Sequence, residues 1–405
     1  VVEVYVAEIE ISVNSIYADD PQGVQFQPLL AEFKRQHRAH VSLQVYDWGF
    51  AWAEFMKISL YGHGPVISQT GDSWMGSLIA RNSLRAFKDR ELAQLGRQKN
   101  FLPDSWQSCL DFNNKDIVAI PWFLDTYLVY YHRDLLEKAG VNEATAFSTL
   151  ESFHATLEKL QESGLSYPFA IPTNASHSNI HVVASWVWGQ GGDFTNPEGT
   201  RVSFTEPKTR EGMGRYFDLF RFMPRETQPL SDQDCWDLFL NRKIAVTVRN
   251  PALLFRLKKQ EFSESFSRNV AAAVLPGVPL LGGSHLVIWN HIRPEQEQDA
   301  IDLIKFLTST NTELSLFEST GLIPASLDAL NHIDPASIFA PAIQSVKKGR
   351  AFHRIRLWGL IEDKLVNAMA QTWKTLFSAS NPDVDQVIAD HLNPMEDKLN
   401  ITLSQ

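Results

Sequence analysis

Apolar and polar residues alternate over Ile9-Glu10-Ile11-Ser12-Val13, which predicts a strand that ends at polar Asn14-Ser15. After an Asp19-Asp20-Pro21 turn, Phe26, Leu29, Leu30 and Phe33 recur at helical spacing, with Lys34 and Arg35 near the expected helix end. Residues 41–45 read as a second strand, followed by Tyr46-Asp47-Trp48-Gly49 and a helix over about 51–60 that breaks at Gly62 and Gly64. Residues 65–70 read as a third strand, and Gly71-Asp72-Ser73-Trp74 opens the next helix. Strand and helix thus alternate three times by residue 80, the rhythm of an α/β sheet with parallel strands. In such sheets ligands bind beyond the carboxyl ends of the strands. Asn14-Ser15, Asp47-Trp48 and Asp72-Ser73-Trp74 are therefore expected on one edge. Solvated loops would explain the Asp and Ser residues well, but exposed Trp48 and Trp74 poorly.

The run Ile117-Val118-Ala119-Ile120-Pro121-Trp122-Phe123-Leu124-Asp125-Thr126-Tyr127-Leu128-Val129-Tyr130-Tyr131 is apolar on both alternating faces, as in extended chain buried on both sides. Pro121 cannot donate to a sheet ladder, so it is expected at a strand end or at a passage between sheets. Asp125 places a carboxylate in apolar surroundings, which is costly unless it is hydrogen-bonded. Two readings stay open at this point. One is a strand that crosses between two sheets with a ligand beside the crossing; the other is a single buried strand with Asp125 bonded to nearby backbone.

Further on, Ser148-Thr149-Leu150-Glu151 reads as a capping box for a helix with Leu150, Phe153, Leu157 and Leu160 on one face, ending at Gly164. A short strand follows over 167–172. His177 and His181 stand four apart near the start of a helix that runs through Trp186 and Trp188 to Gly191-Gly192. Such a pair can grip zinc, but it has no glutamate between its members and no evident third ligand, so hydrogen bonding is the expected role. Helices over 213–220 and after Ser231, and strands over 244–248 and 270–275, lead to Gly282-Gly283-Ser284-His285-Leu286-Val287-Ile288. That glycine turn has no lysine for a P-loop and no Gly-x-Ser-x-Gly elbow. The segment from Trp358-Gly359-Leu360 onward is mostly helical.

The chain has 405 residues, long for one core, so two domains are expected. A net charge of −10 argues against nucleic-acid binding and against docking on an anionic membrane. No apolar run is long enough to span a bilayer. The chain opens Val1-Val2-Glu3 without a basic or apolar leader pattern, so the protein is expected to be cytosolic or to have lost a leader. Two cysteines, Cys109 and Cys235, are too few for a disulfide framework or a structural zinc site. The 11 tryptophans change the picture more, because an indole offers a flat apolar face and an N–H to an amphipathic ligand.

Taken in order, several segments resemble the extracellular solute-binding proteins of ABC importers, family 1, the sugar-type branch related to maltose- and trehalose-binding proteins. They are Pro65…Gly71-Asp72-Ser73-Trp74, the run from Ala119-Ile120-Pro121 through Asp125 and Tyr130-Tyr131 to Asp134-Leu135-Leu136-Glu137-Lys138-Ala139-Gly140, and Gly191-Gly192-Asp193. Leu275-Pro276-Gly277…Gly282-Gly283, Ile304-Lys305-Phe306-Leu307, Gly321-Leu322-Ile323-Pro324 and Trp358 follow. The resemblance implies an α/β two-lobe periplasmic-binding-protein fold of type II with three hinge crossings, near 121–126, 274–277 and 322–325. Lobe one would be 1–122 plus 277–323, and lobe two 123–276 plus 324–405. It also implies capture of a mono-, di- or short oligosaccharide between the lobes by hinge closure, and delivery to a membrane permease. The protein would be a monomer in the periplasm or on the outer face of the cell membrane, free or lipid-anchored.

The same resemblance nominates Asn14, Ser15, Asp72, Asp125, His181, Gly283, His285 and Trp358 for the ligand site, with Trp122 and Phe123 as neighbours of Asp125. Arg249 stands before Asn250-Pro251 where the family more often has a glycine and then an aromatic. A pyranose needs aromatic planes for its C–H faces, carboxylates for its hydroxyls and Arg, His or backbone N–H donors. On that chemistry Trp48, Ser73 and Trp74 join the set, Asp72 and Asp125 are the carboxylates, and Trp122 and Trp358 are favoured over Trp186 and Trp188 as ring platforms. No catalytic residue, metal or cofactor is expected. A glycosidase would also flank a sugar with two carboxylates, but nothing marks a raised-pKa acid or a nucleophile. A binding protein for peptides, polyamines or iron fits the aromatic clusters less well.

Overall fold

The expected strands form, in chain order, as β1 (Glu8–Asn14), β2 (His40–Tyr46), β3 (Ile67–Gly71), β4 (Ala119–Asp125), β5 (Leu128–His132), β6 (Phe169–Ala170), β7 (Val246–Arg249), β8 (Val270–Val274), β9 (Gly282–Ile288) and β10 (Ile323–Pro324). The structure, a computed structural model, describes residues 8–15, 23–37 and 39–404, and the Asp19-Asp20-Pro21 turn lies outside them. The chain divides into two units, one of Val1–Asp125 with Gly282–Asp334 and the other of Thr126–Leu281 with Pro335–Gln405. It passes from one unit to the other three times.

Unit one is built on a six-stranded sheet in the order β10-β4-β9-β3-β1-β2. β1 runs parallel to β2 and β3, and β9 runs antiparallel to β3 and β4. The carboxyl ends of β1, β2, β3 and β4 and the amino end of β9 therefore share one edge. The helices Gln27–His37 and Trp48–Tyr61 bury Leu29, Leu30 and Phe33, and Ala51, Phe55 and Ile58, each set spaced along one helical face. Asp47 caps the second helix by accepting from the Gly49 N–H, and Gly62 ends it in the left-handed conformation.

The 117–131 run resolves into two strands in different sheets, β4 and β5, parted at Thr126-Tyr127. Pro121 does not mark that passage. It lies inside β4, where pairing with β9 shifts register between Pro121 and Phe123. The irregularity lets a residue without an N–H sit in a strand that has a neighbour on each side. Opposite, Gly283 has φ +149°, and a Cβ there would meet the Phe123 carbonyl oxygen at 2.1 Å. Only glycine lets β9 run this close to β4.

Unit two carries a four-stranded sheet in the order β6-β7-β5-β8, with β5 antiparallel to both of its neighbours. Thr149, rather than Ser148, caps the helix Leu150–Glu162, and Ser152 completes the reciprocal pair in place of Glu151. Its apolar face, Leu150, Phe153, Leu157 and Leu160, is buried as its spacing predicts. Cys109 in unit one and Cys235 in unit two are both free and buried. Among the described residues no helix is long and apolar enough to cross a membrane.

Candidate functional site

At the shared edge of unit one, Asn14 ends β1 and is 1% exposed. Its backbone N–H donates to Gln69 Oε1 at 2.9 Å and its side-chain Nδ2 to the Gln69 carbonyl at 3.0 Å. Gln69 Nε2 in turn donates to Ser284 Oγ at 2.9 Å, so a polar seam runs from β1 through β3 to β9. Asn14 Oδ1 is buried with no hydrogen-bond partner among the described residues. Ser15, also buried, donates its backbone N–H to the Tyr46 carbonyl.

Beyond β3, residues 72–74 form a single 3-10 turn that presents Asp72, Ser73 and Trp74. Trp48, 42% exposed at the start of its helix, lies 5.4 Å from the Trp74 ring, and Trp52 lies 5.8 Å from it on the same helix. Phe55 closes the cluster from below, its ring 5.7 Å from Trp74. Asp72 Oδ1 is 2.9 Å from His285 Nε2, and the Asp72 side chain keeps 12% of its surface exposed. Burial opposes charge on the His285 imidazole, but Cys109 and Asp72 outweigh it and push its pKa up to about 10. Asp125 closes β4 opposite Gly282 on the same edge, and is half-buried.

In unit two, His177 and His181 both turn toward Glu362 on the helix Trp358–Ser378. Nδ1 of His177 is 3.2 Å and Nε2 of His181 is 4.0 Å from Glu362 Oε1, and that carboxylate is 4% exposed. The hydrogen bond to Glu362 raises the His177 pKa against the desolvation that lowers it. On its other side, His181 Nδ1 lies 3.5 Å from the Tyr127 hydroxyl. Phe352 joins this group to an aromatic cluster, with ring centroids 6.2 Å from His181, 5.0 Å from Trp188 and 4.7 Å from Trp358. Behind it, Asp193 accepts from Arg350 and lies 3.1 Å from His353 Nε2. Burial alone would raise the Asp193 pKa, but His353 and Arg350 lower it to about 2.

Residues 29–343 match the family described as bacterial extracellular solute-binding protein. The chain belongs to that family. It is 20% identical over 355 residues to the diacetylchitobiose binding protein DasA of Streptomyces coelicolor, which covers 83% of this chain and 78% of that protein. Its fold is similar to that of the sugar-binding protein MalE from Xanthomonas citri, with a TM-score of 0.82 at 17% identity over 98% of both chains. The GacH receptor of Streptomyces glaucescens gives 0.79 at 15% identity over 98% of this chain and 99% of that one. Maltose-bound MalE3 of T. maritima gives 0.77 at 20% identity over 96% and 100%.

Within this solute-binding protein, Asn14, Ser15, Trp48, Asp72, Ser73, Trp74, Asp125, Gly283 and His285 all collect at one edge of unit one. Six of the nominated roles change. Trp122 is fully buried and its indole N–H donates to the Leu307 carbonyl at 3.1 Å, so its faces are spent on packing. Phe123 is 3% exposed and stacks on Trp122 at 4.2 Å. Gly283 serves the β4–β9 approach, and His285, 2% exposed, lies beneath Asp72 rather than at the surface. In unit two, Trp358 is 2% exposed and packs on Phe352, with an indole N–H that has no partner among the described residues. Arg249 donates to the Asp232 carbonyl and lies 5.1 Å above the Trp236 ring.

Gln69, Trp52, Ser284, Tyr127, Phe352 and Glu362 were not nominated. Trp52 had a readable signal, since it follows Trp48 by four on a helix and so shares its face. Gln69 lay inside a strand, and nothing local distinguishes it from a strand residue turned toward solvent.

Proposed function

We propose that this solute-binding protein captures a sugar and passes it to the permease of an ABC importer, outside the cytoplasmic membrane and as a monomer. The observation that carries this reading is the grouping of Asp72 with Trp48 and Trp74 on one strand edge, beside Asn14 and Asp125. A partly exposed carboxylate next to tilted indole rings offers an acceptor for hydroxyls and faces for C–H groups, the two things a pyranose presents. The sugars named for the similar proteins, maltose and diacetylchitobiose among them, are neutral and fit that chemistry.

The test is intrinsic tryptophan fluorescence during titration with maltose, diacetylchitobiose and acarbose, in the wild type and in Asp72→Ala and Asp125→Ala. A saturable change with at least one sugar is expected, weakened in each variant by about 1.5–3 kcal/mol, or about 10- to 150-fold in Kd. No change with any of the three, in protein shown by circular dichroism to be folded, would count against sugar capture. The ligand is expected back chemically intact, so any glucose released from maltose during incubation would overturn the binding-protein reading in favour of a hydrolase.

A further inference from the structure

His285 is the residue whose surroundings least suit a ligand contact. Its side chain is 2% exposed on β9, yet every polar atom of the ring is engaged. Nε2 lies 2.9 Å from Asp72 Oδ1 and 3.0 Å from Ser108 Oγ, and Nδ1 lies 3.6 Å from Cys109 Sγ. Ser108 Oγ already donates its proton to the Ser105 carbonyl at 2.8 Å, so it faces the ring as an acceptor. Nε2 must therefore carry the hydrogen that Asp72 and Ser108 share. The Cys109 thiol also points at the Ser105 carbonyl, at 3.4 Å, which turns sulfur lone pairs toward Nδ1.

We propose that His285 is a positioning residue for ligand binding: from beneath the sheet edge it holds one oxygen of Asp72 and leaves the other for a sugar hydroxyl, with Ser108 and Cys109 fixing the ring from behind. The inference rests on the sugar-binding reading and adds to it a residue that touches no sugar. A carboxylate on an exposed turn samples many rotamers, and each must be given up on binding. One already tied to a buried donor was ordered during folding, so its acceptor geometry costs nothing further when the ligand arrives. The second observation is the burial of the groups that accept from the ring. Ser108 and Cys109 come from the end of the helix Pro103–Gln107, far along the chain from both β3 and β9, and both are buried against this one ring. The titratable groups that act on the imidazole are Cys109 and Asp72.

Two measurements test this. The first is a double-mutant cycle by isothermal titration with maltose and diacetylchitobiose, using His285→Leu, His285→Gln, Asp72→Ala and Asp72→Ala/His285→Leu. His285→Leu is expected to weaken binding about tenfold, His285→Gln to recover most of that through its amide donor, and His285→Leu to add nothing once Asp72 is alanine. A purely structural role would give the same loss in both backgrounds, and that additivity would overturn the proposal. If the wild type binds a sugar and Asp72→Ala binds it equally well, the site reading falls together with the proposal. The second measurement needs no ligand: side-chain nitrogen NMR of the wild type at pH 7. Both ring nitrogens of His285 are expected to be protonated, and one alone in Asp72→Ala. A neutral ring in the wild type, or a ring unchanged by Asp72→Ala, would sink the His285–Asp72 tie even if neither probe sugar binds.

Discussion

Trp122 and Trp74 are the same residue type with opposite employment. Trp122 gives its whole surface to the core of unit one, stacked on Phe123 and 5.6 Å from Phe26, with its indole N–H bonded to the Leu307 carbonyl. Trp74 shares its ring faces among Trp48, Trp52 and Phe55 and stays partly exposed. Trp122→Phe removes a buried donor, orphans a carbonyl and opens a small cavity, so it is expected to cost about 1–3 kcal/mol in urea unfolding. Sugar affinity of the folded variant should stay within about twofold. A large loss of affinity with unchanged stability would restore Trp122 to the ligand site.

Glu313 shows how a single element carries a pH response. It sits in the helix Thr310–Thr320, fully buried, where it accepts from the Ser326 hydroxyl and from the Ser326 backbone N–H at 3.3 Å, at the start of the helix Leu327–His332. Burial pushes its pKa up to about 8, and the hydrogen bonds from Ser326 and Ala325 only partly oppose this. The sign follows from proton counting. Between the ordinary value of 4.5 and about 8 the folded protein binds a proton here that the unfolded chain has released. Stability contributed by this group is therefore full below about pH 4.5 and declines as pH rises toward about 8. Glu313→Gln removes the titration. The unfolding free energy of the wild type minus that of the variant should fall steadily across that window, as measured by urea titrations at several pH values. A difference that is flat with pH would mean the carboxyl is ionised in the fold.

At the scale of the whole molecule, the net charge of −10 repels anions from the surface at large. In the proposed site on unit one, the Asp72 carboxylate is paired with His285. Such a molecule should bind a neutral sugar with little salt dependence. Raising sodium chloride from about 0.05 M to about 0.5 M shortens the screening length several-fold, yet Kd for maltose or diacetylchitobiose is expected to stay within about twofold. A steep dependence would indicate a charged solute and redirect the search for the ligand.

The alternation of strand and helix, the capped helices and the polar clusters after β1, β2 and β3 were legible in the sequence, because each depends on residues within a few positions of one another. The resemblance to solute-binding proteins was legible for a related reason, since it lies in the order of short local segments along the chain. The sequence could not say which aromatic residues stay at the surface. Trp122 and Trp358 looked like ring platforms, and the structure buries both under side chains that arrive from elsewhere in the chain. Nor could it pair Asp72 with His285, 213 positions away, or Gln69 with Ser284, 215 positions away, since strand order and register bring them together. Glu362 is the clearest instance: the two histidines were visible four residues apart, but their carboxylate partner waits on a helix that begins at Trp358. Local periodicity decides whether a residue sits on a strand or a helix. Burial, hydrogen-bond partner and hence chemical role are decided by what packs over it, and that belongs to the tertiary structure alone.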